Sequence, residues 1–263
     1  MKHIMKILAS DWDGTLNRGG VSEADRAAIA RFQAAGHRFG LVTGRTPRFI
    51  QSDLYRHMGG VRLDFFVYAT GGLILDGSGE ELYCSPIDGA TAREILALAR
   101  QWKLSHISFS DAEEAVVSES EWMARFYEDS EAGVIVSRDP EPALRRGRIY
   151  NFVIIVEDDA LREPFLAALQ KQLGGRAALH NNRGVIDISG PGSSKTDGLR
   201  RLNRQLHGEL YPIGDGQNDV GMIRTFGGFA MADGCEEARR GACWVVGSVA
   251  EAVDILLGQA AGA

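Results

Sequence analysis

A chain of 263 residues, 44% hydrophobic and 24% charged, has the make-up of an ordinary globular protein, with room for one large domain or two unequal ones. A formal net charge of -6 speaks against nucleic acid as the main partner, because that partner demands a basic face. No apolar run approaches membrane-spanning length and the N-terminal apolar stretch is too short for a secretory signal, so the sequence reads as cytoplasmic with no membrane partner. The three cysteines, Cys84, Cys235 and Cys243, have neither the even count of a disulfide framework nor zinc-ligand spacing. They read as buried small hydrophobes in a reducing compartment, and the histidines show no metal-ligand spacing either.

Taken in order, Ile4 to Ala9 is a short apolar run with the character of a buried strand. It leads into Asp11-Trp12-Asp13-Gly14-Thr15, which puts two carboxylates at i and i+2 where the chain must turn. In open α/β sheets the carboxyl ends of strands border the ligand crevice. Two acids so close repel unless a cation sits between them or one keeps its proton, and Mg2+ is the natural hard cation. The same residue types also build plain turns and caps.

Ser22 with Glu23 and Asp25 opens a helix that Gly36 stops. Arg38 to Val42 is a second strand, ending in Thr43-Gly44-Arg45, and a helix follows from Pro47 to His57. Leu63 to Ala69 is a third strand, which Thr70-Gly71-Gly72 turns into Leu73 to Gly77 as a hairpin. Alternating strands and helices predict a parallel sheet with crossover helices.

From Pro86 the rhythm changes. Helices are expected over Ala90 to Trp102, Glu121 to Asp129 and Asp159 to Leu173. Extended segments are expected at His106 to Phe109, Ala115 to Ser118, Val134 to Val136, Ile149 to Val156, Arg176 to His180 and Val185 to Ser189, the last two as an antiparallel pair. The prolines of Asp139-Pro140-Glu141-Pro142 and the basic stretch Arg145-Arg146-Gly147-Arg148 read as breaks, the latter a solvated turn or a contact for a second anionic group of a substrate. Alternation resumes at Ser193: helices Ser193 to His207, Gln217 to Thr225, Cys235 to Arg240 and Val249 to Leu257, strands Leu210 to Ile213, Phe229 to Ala232 and Cys243 to Val246. The expected division is a Rossmann-like α/β core over residues 1–85 and 190–263, with an inserted α+β cap domain over 86–189.

Thr43 ends the second strand as Asp11 ends the first, so a parallel sheet brings both to one edge. Its hydroxyl and the unobstructed Gly44 amide suit a phosphoryl oxygen, although Thr-Gly-Arg also serves as a helix cap. Lys195, in the first turn of its helix, would neutralise the same phosphate, or stand solvated like most lysines. Pro191-Gly192-Ser193-Ser194-Lys195 fails as a phosphate-binding Walker loop, since Ser194 stands where glycine is needed. In Gly214-Asp215-Gly216-Gln217-Asn218-Asp219 an apolar strand runs into two acids four apart. Asp215 is placed to complete a cation's oxygen set with Asp219 behind it, or the stretch is a glycine turn with an acidic helix start.

With DWDGTL, VTGR, SSKTDGL and GDGQND in this order, the chain resembles the haloacid dehalogenase-like superfamily of phosphotransferases, and within it the Cof-type phosphatases with a large type IIB cap. The resemblance implies that Asp11 is a nucleophile forming an aspartyl-phosphate and that Asp13 is general acid, then base. It implies further that Thr43, Gly44, Lys195 and Asn218 bind the phosphoryl group. Asp11, the Asp13 carbonyl and Asp215 would hold Mg2+, with Asn218 and Asp219 orienting the site. Trp12 and Thr70-Gly71-Gly72 depart from that pattern, which usually has a smaller residue at the first place and Asn-Gly-Ala at the second. The implied function is Mg2+-dependent hydrolysis of a small phosphorylated metabolite, a sugar phosphate foremost, by a monomer or small homo-oligomer. A phosphomutase using the same intermediate and a non-catalytic ligand-binding member of the fold are the alternatives.

Overall fold

The apolar run Ile7-Leu8-Ala9 between Lys6 and Ser10 forms the middle of the central strand of the larger of two sheets, buried on both faces as parallel strands are. The computed structural model describes residues 4–104, 106–111, 115–117, 120–129, 135–182 and 184–258. In chain order the first elements are β1 (Lys6–Ser10), α1 (Glu23–Ala34), β2 (Arg38–Val42), α2 (Pro47–His57), β3 (Phe65–Tyr68), β4 (Leu73–Asp76) and β5 (Glu81–Cys84). Then come α3 (Gly89–Gln101), β6 (His106–Ser110), β7 (Ala115–Val117), α4 (Glu121–Asp129), β8 (Val136–Ser137), α5 (Glu141–Arg146), β9 (Asn151–Ile155), α6 (Asp159–Leu173), β10 (Ala178–Asn182) and β11 (Val185–Ser189). The chain closes with α7 (Lys195–Leu206), β12 (Glu209–Gly214), α8 (Val220–Phe226), β13 (Phe229–Met231), α9 (Glu236–Gly241), β14 (Trp244–Val246) and α10 (Val249–Leu257).

These form two compact units, one of Met1–Gly44, Asp53–Tyr83 and Lys195–Ala263, the other of Arg45–Ser52 and Cys84–Ser194. The first carries an eight-stranded sheet in the order β14-β13-β12-β1-β2-β3-β4-β5. Pairing is parallel from β14 through β3, and β4 folds back antiparallel on β3. One of its cores gathers Ile7, Ala9, Val42, Phe65, Val67, Leu199, Met222 and Ile223, and each of these other than Ala9 stabilises by about 1.5–3 kcal/mol when fully buried. The second unit has a six-stranded sheet, β10-β11-β9-β6-β7-β8, antiparallel except between β7 and β8. Alternation along β9 sends Phe152 and Ile154 into a core with Ile107, Phe109, Ile95 and Phe165, whereas Val153 and Ile155 pack with Met123 and Ala124 of α4. The α/β class with a parallel-rich sheet and an α+β companion is therefore the one expected. Among the described residues no helix is long and apolar enough to cross a membrane.

Several expectations are corrected. A helix, α5, stands where proline and arginine runs read as breaks: Pro140 occupies its N-cap, Pro142 falls in its first turn, and Gly147 ends it at φ 64°. Helix α7 begins at Lys195 and not Ser193, because the Ser193 amide donates back to the Gly190 carbonyl (3.2 Å) in a turn. The helix expected over Gln217 to Thr225 splits into a 3-10 turn, Gln217–Asp219, and α8. The hairpin expected across Thr70-Gly71-Gly72 is present, with β4 antiparallel to β3. Strand β5 lacks a clear alternation and was not expected. Cys84 and Cys235 are half-buried, Cys235 packing against the core of the first unit, and Cys243, just before the edge strand β14, is exposed, so none of the three is fully buried as expected. Arg146 is engaged by the buried Asp111 at 2.7 Å, and Arg145 by Glu141. The expected extended positions Ser118 and Val134, and Arg183 in the turn before β11, lie outside the described residues.

Helix α7 lies against β3 because Gly198 has no side chain: a Cβ there would stand 2.6 Å from Val67 Cγ1 and 2.9 Å from Gly71 Cα. In an exposed helix Gly→Ala stabilises by about 0.5–1 kcal/mol. Here the sign reverses. Gly198→Ala is expected to lose about 1–3 kcal/mol by overpacking, read as a lowered midpoint in thermal or urea unfolding. An unchanged or raised midpoint contradicts the close packing.

Candidate active site

Three neighbouring strands deliver the polar residues. The parallel register sets Ser10 of β1 opposite Ile213 of β12 and Leu41 of β2, so Asp11, Asp215 and Thr43 all leave the sheet at its carboxyl edge. The Asp11 amide extends the ladder by donating to the Ile213 carbonyl at 2.9 Å. Just beyond, Gly14 adopts φ +79° and lies so close to Asp215 that a Cβ would meet its Oδ2 at 2.6 Å. The turn can therefore wrap Asp215 only with glycine there.

Lys195 opens α7 and is 2% exposed. Its Nζ donates to Asp11 Oδ1 at 2.8 Å and to Asp219 Oδ1 at 2.7 Å. The 3-10 turn bends Asp219 back beneath the strand end, where its Oδ2 accepts from the Asp215 amide (3.2 Å) and the Gly216 amide (2.9 Å). Gly214 makes room, since a Cβ there would lie 2.4 Å from Asp219 Cγ. Thr15, buried, donates its hydroxyl to Asp215 Oδ1 at 2.7 Å. An oxygen from each of Asp11, Asp215 and Asp219 lies within 4.8 Å of the others.

Burial, then the Asp219 charge, pushes the Asp11 carboxyl from its ordinary 3.8 up to about 8, Lys195 opposing them without prevailing. Burial also raises Asp215, against the Thr15 hydrogen bond. Burial by itself would lower Lys195, but Asp11 and Asp219 outweigh it and hold the ammonium charged above its usual range. One buried cation thus faces three acids, and the excess negative charge suits a hard divalent ion bound by oxygen. Asp219 has both oxygens engaged, so Asp11 and Asp215 are the carboxylates best able to ligate, with Asp219 holding the lysine and the strand end behind them.

The other expected residues are placed as follows. Asp13 is exposed on the turn, which is closed by a bridge between Asp13 and Asn17. Thr43 is buried, its amide donating to Val67 O at 2.8 Å and its carbonyl accepting from the Thr70 amide at 3.0 Å. Gly44 lies beside the Thr70 hydroxyl, which a Cβ would meet at 3.5 Å. Asn218 is exposed on the 3-10 turn. Sequence reasoning missed the Thr15 bond to Asp215 and the left-handed backbone of Ala69 (φ 48°) and Thr70 (φ 54°). The Thr15 bond was within reach, because a threonine two places past an acid of a candidate cation site is a ready hydroxyl donor. The left-handed pair had no such signal, since neither residue favours that region.

The haloacid dehalogenase-like hydrolase family pattern matches residues 8–253. The chain belongs to this family. Among solved structures it is similar to a haloacid dehalogenase-like hydrolase from Bacteroides thetaiotaomicron, with TM-score 0.80 and 24% identity over 96% of this chain and 99% of that one. It is also similar to the subclass IIB sugar phosphatase BT4131, with TM-score 0.76 and 17% identity over 97% and 98%. Among curated proteins it is similar to YkrA of Bacillus subtilis, whose name marks it as a candidate phosphatase, at 23% identity over 94% of this chain and 93% of that one. A chloroplast protein of Arabidopsis thaliana named endoribonuclease YBEY is 22% identical over 87% of this chain, and the match spans 42% of that protein's length.

A carboxyl whose folded value is raised binds a proton the unfolded chain has released, so stability falls as pH climbs between the two values. In metal-free buffer the wild type is expected to lose stability relative to Asp11→Asn from about pH 4 to about pH 8. Urea midpoints across that range check it. A constant difference between the two proteins rules out a buried, raised Asp11.

Proposed function

We propose that this chain is a Mg2+-dependent phosphatase that releases inorganic phosphate from a small phosphorylated metabolite, a sugar phosphate foremost, through an aspartyl-phosphate on Asp11. The observation that carries the proposal is the buried contact of Lys195 with Asp11, 2.8 Å long, in a cluster with Asp215 and Asp219. A bound Mg2+, held by Asp11, Asp215 and the Asp13 carbonyl, supplies charge neutralisation for the phosphoryl oxygens.

Asp11 attacks phosphorus in line with the ester oxygen, and covalent capture splits one hard displacement into two easier ones. Lys195 has three N–H donors, of which two serve Asp11 and Asp219, so the third is available to a phosphoryl oxygen. The Thr43 hydroxyl, the Gly44 amide and Asn218 bind the remaining oxygens. Asp13, out on the turn, gives its proton to the departing alcohol and then takes one from the water that attacks the aspartyl-phosphate. Residues 86–189 act as the cap domain, contributing leaving-group contacts and excluding water. The sugar-phosphate preference is supported by the sugar phosphatase among the structural neighbours.

The test is a panel of phosphorylated metabolites assayed for phosphate release with Mg2+ and with EDTA. Turnover is expected only with the metal. Asp11→Asn should lose roughly 10³-fold or more in kcat, and Asp13→Asn should slow the reaction while leaving phosphate binding intact. Full activity in EDTA, or an Asp11→Asn variant as fast as wild type, defeats the proposal. Transfer of the phosphoryl group to a second alcohol in place of water identifies a mutase.

A further inference from the structure

The turn from Asp11 to Gly20 takes its shape from glycine: Gly14, Gly19 and Gly20 all have positive φ, at +79°, +84° and +129°. Its internal bonds are short-range, such as Gly14 N–H to Asn17 O (3.1 Å), Asn17 N–H to Trp12 O (2.7 Å) and Gly20 N–H to Asn17 Oδ1 (2.9 Å). Two polar side chains reach out of it to the rest of the first unit. Thr15 reaches Asp215, as described. Arg18 pairs with Asp233 and donates to the Gly247 carbonyl at 2.9 Å. The Asp233 segment is itself fastened to Asp215: the Cys235 amide donates to the Asp215 carbonyl at 2.7 Å, and Gly234 lies so close that a Cβ would stand 2.9 Å from Asp215 Cα. The contacts therefore close a ring that runs from the turn through Arg18, Asp233, Cys235 and Asp215, and returns by Thr15.

We propose that Arg18 is a positioning residue, clamping the turn that carries Asp13 to the segment that holds Asp215 and so fixing the separation of the two acids. The proposal rests on the phosphatase reading only for the reaction it serves. Arg18 and Asp233 are 42% and 59% exposed, and exposed ion pairs add little to global stability. Their effect belongs to the geometry of the turn that carries Asp13, where a small misplacement is costly to rate.

The experiment is a double-mutant cycle on the full chain, with Arg18→Ala, Asp233→Ala and the pair together, plus the exchanged pair Arg18→Asp with Asp233→Arg. Each single change is expected to lower kcat about tenfold or more with KM within about twofold, and to move the melting temperature by a few degrees at most. The double variant should be no slower than the worse single one, and the exchanged pair should recover activity above either. Backbone amide exchange in the peptide spanning residues 12–20 should accelerate in every variant lacking the pair. An Arg18→Ala kcat within twofold of wild type, losses that multiply in the double variant, or unchanged exchange in that peptide each overturn the clamp. If wild-type protein hydrolyses no phosphate ester, the phosphatase reading fails, and the exchange measurement still decides for or against the clamp.

Discussion

A single ammonium group, 2% exposed and shared between two buried carboxylates, is the interaction on which the rest of the first unit depends. Removing one partner from a buried charge set typically costs about 3–5 kcal/mol, because the charge left behind has neither water nor a counterion. Lys195 therefore ties three separate pieces of chain to one another: the end of β1, the turn after β12 and the start of α7. Gly198 and Gly214 serve the same end, since each removes a side chain that would hold the helix or Asp219 away. Even so the charges do not balance, and the surplus of acid suits the cluster to a hard cation.

The topology makes that cluster almost unavoidable. Strands β12, β1 and β2 are neighbours and run parallel, so residues that follow their carboxyl ends converge with no special loop to gather them. What local sequence adds is shape. Gly14 turns the chain sharply around Asp215, the 3-10 turn tucks Asp219 under the strand end, and Thr15 orients one Asp215 oxygen.

Much of this was legible in the sequence, for identifiable reasons. Strong apolar runs bounded by glycine marked β1, β2 and β9 within a residue or two, and Arg38–Val42, Pro47–His57 and Asp159–Leu173 were exact. The acids were legible because they sit at strand ends, where periodicity locates them in space. What could not be read was set by contacts between distant segments. Whether Lys195 was solvated or buried depended on the approach of α7 to β3, which Gly198 permits but does not announce. Helix α5 was hidden because proline is harmful inside a helix and harmless in its first turn, and only the boundary tells which applies. The cysteines were misplaced because a small hydrophobic residue near an edge strand has the same local pattern as one in a core.

The pairing of β1 with β12 joins residues about two hundred positions apart, Ser10 lying opposite Ile213. Such a contact carries a large loop-closure cost and forms late, after local helices and hairpins. During synthesis β1 and the residues that follow it leave the ribosome before α7 and β12. The nascent chain thus holds Asp11 without Lys195, Asp215 or Asp219 beside it until those later segments have been made. The buried charge cluster is a product of tertiary assembly, and no fragment that stops short of Asp219 can contain it.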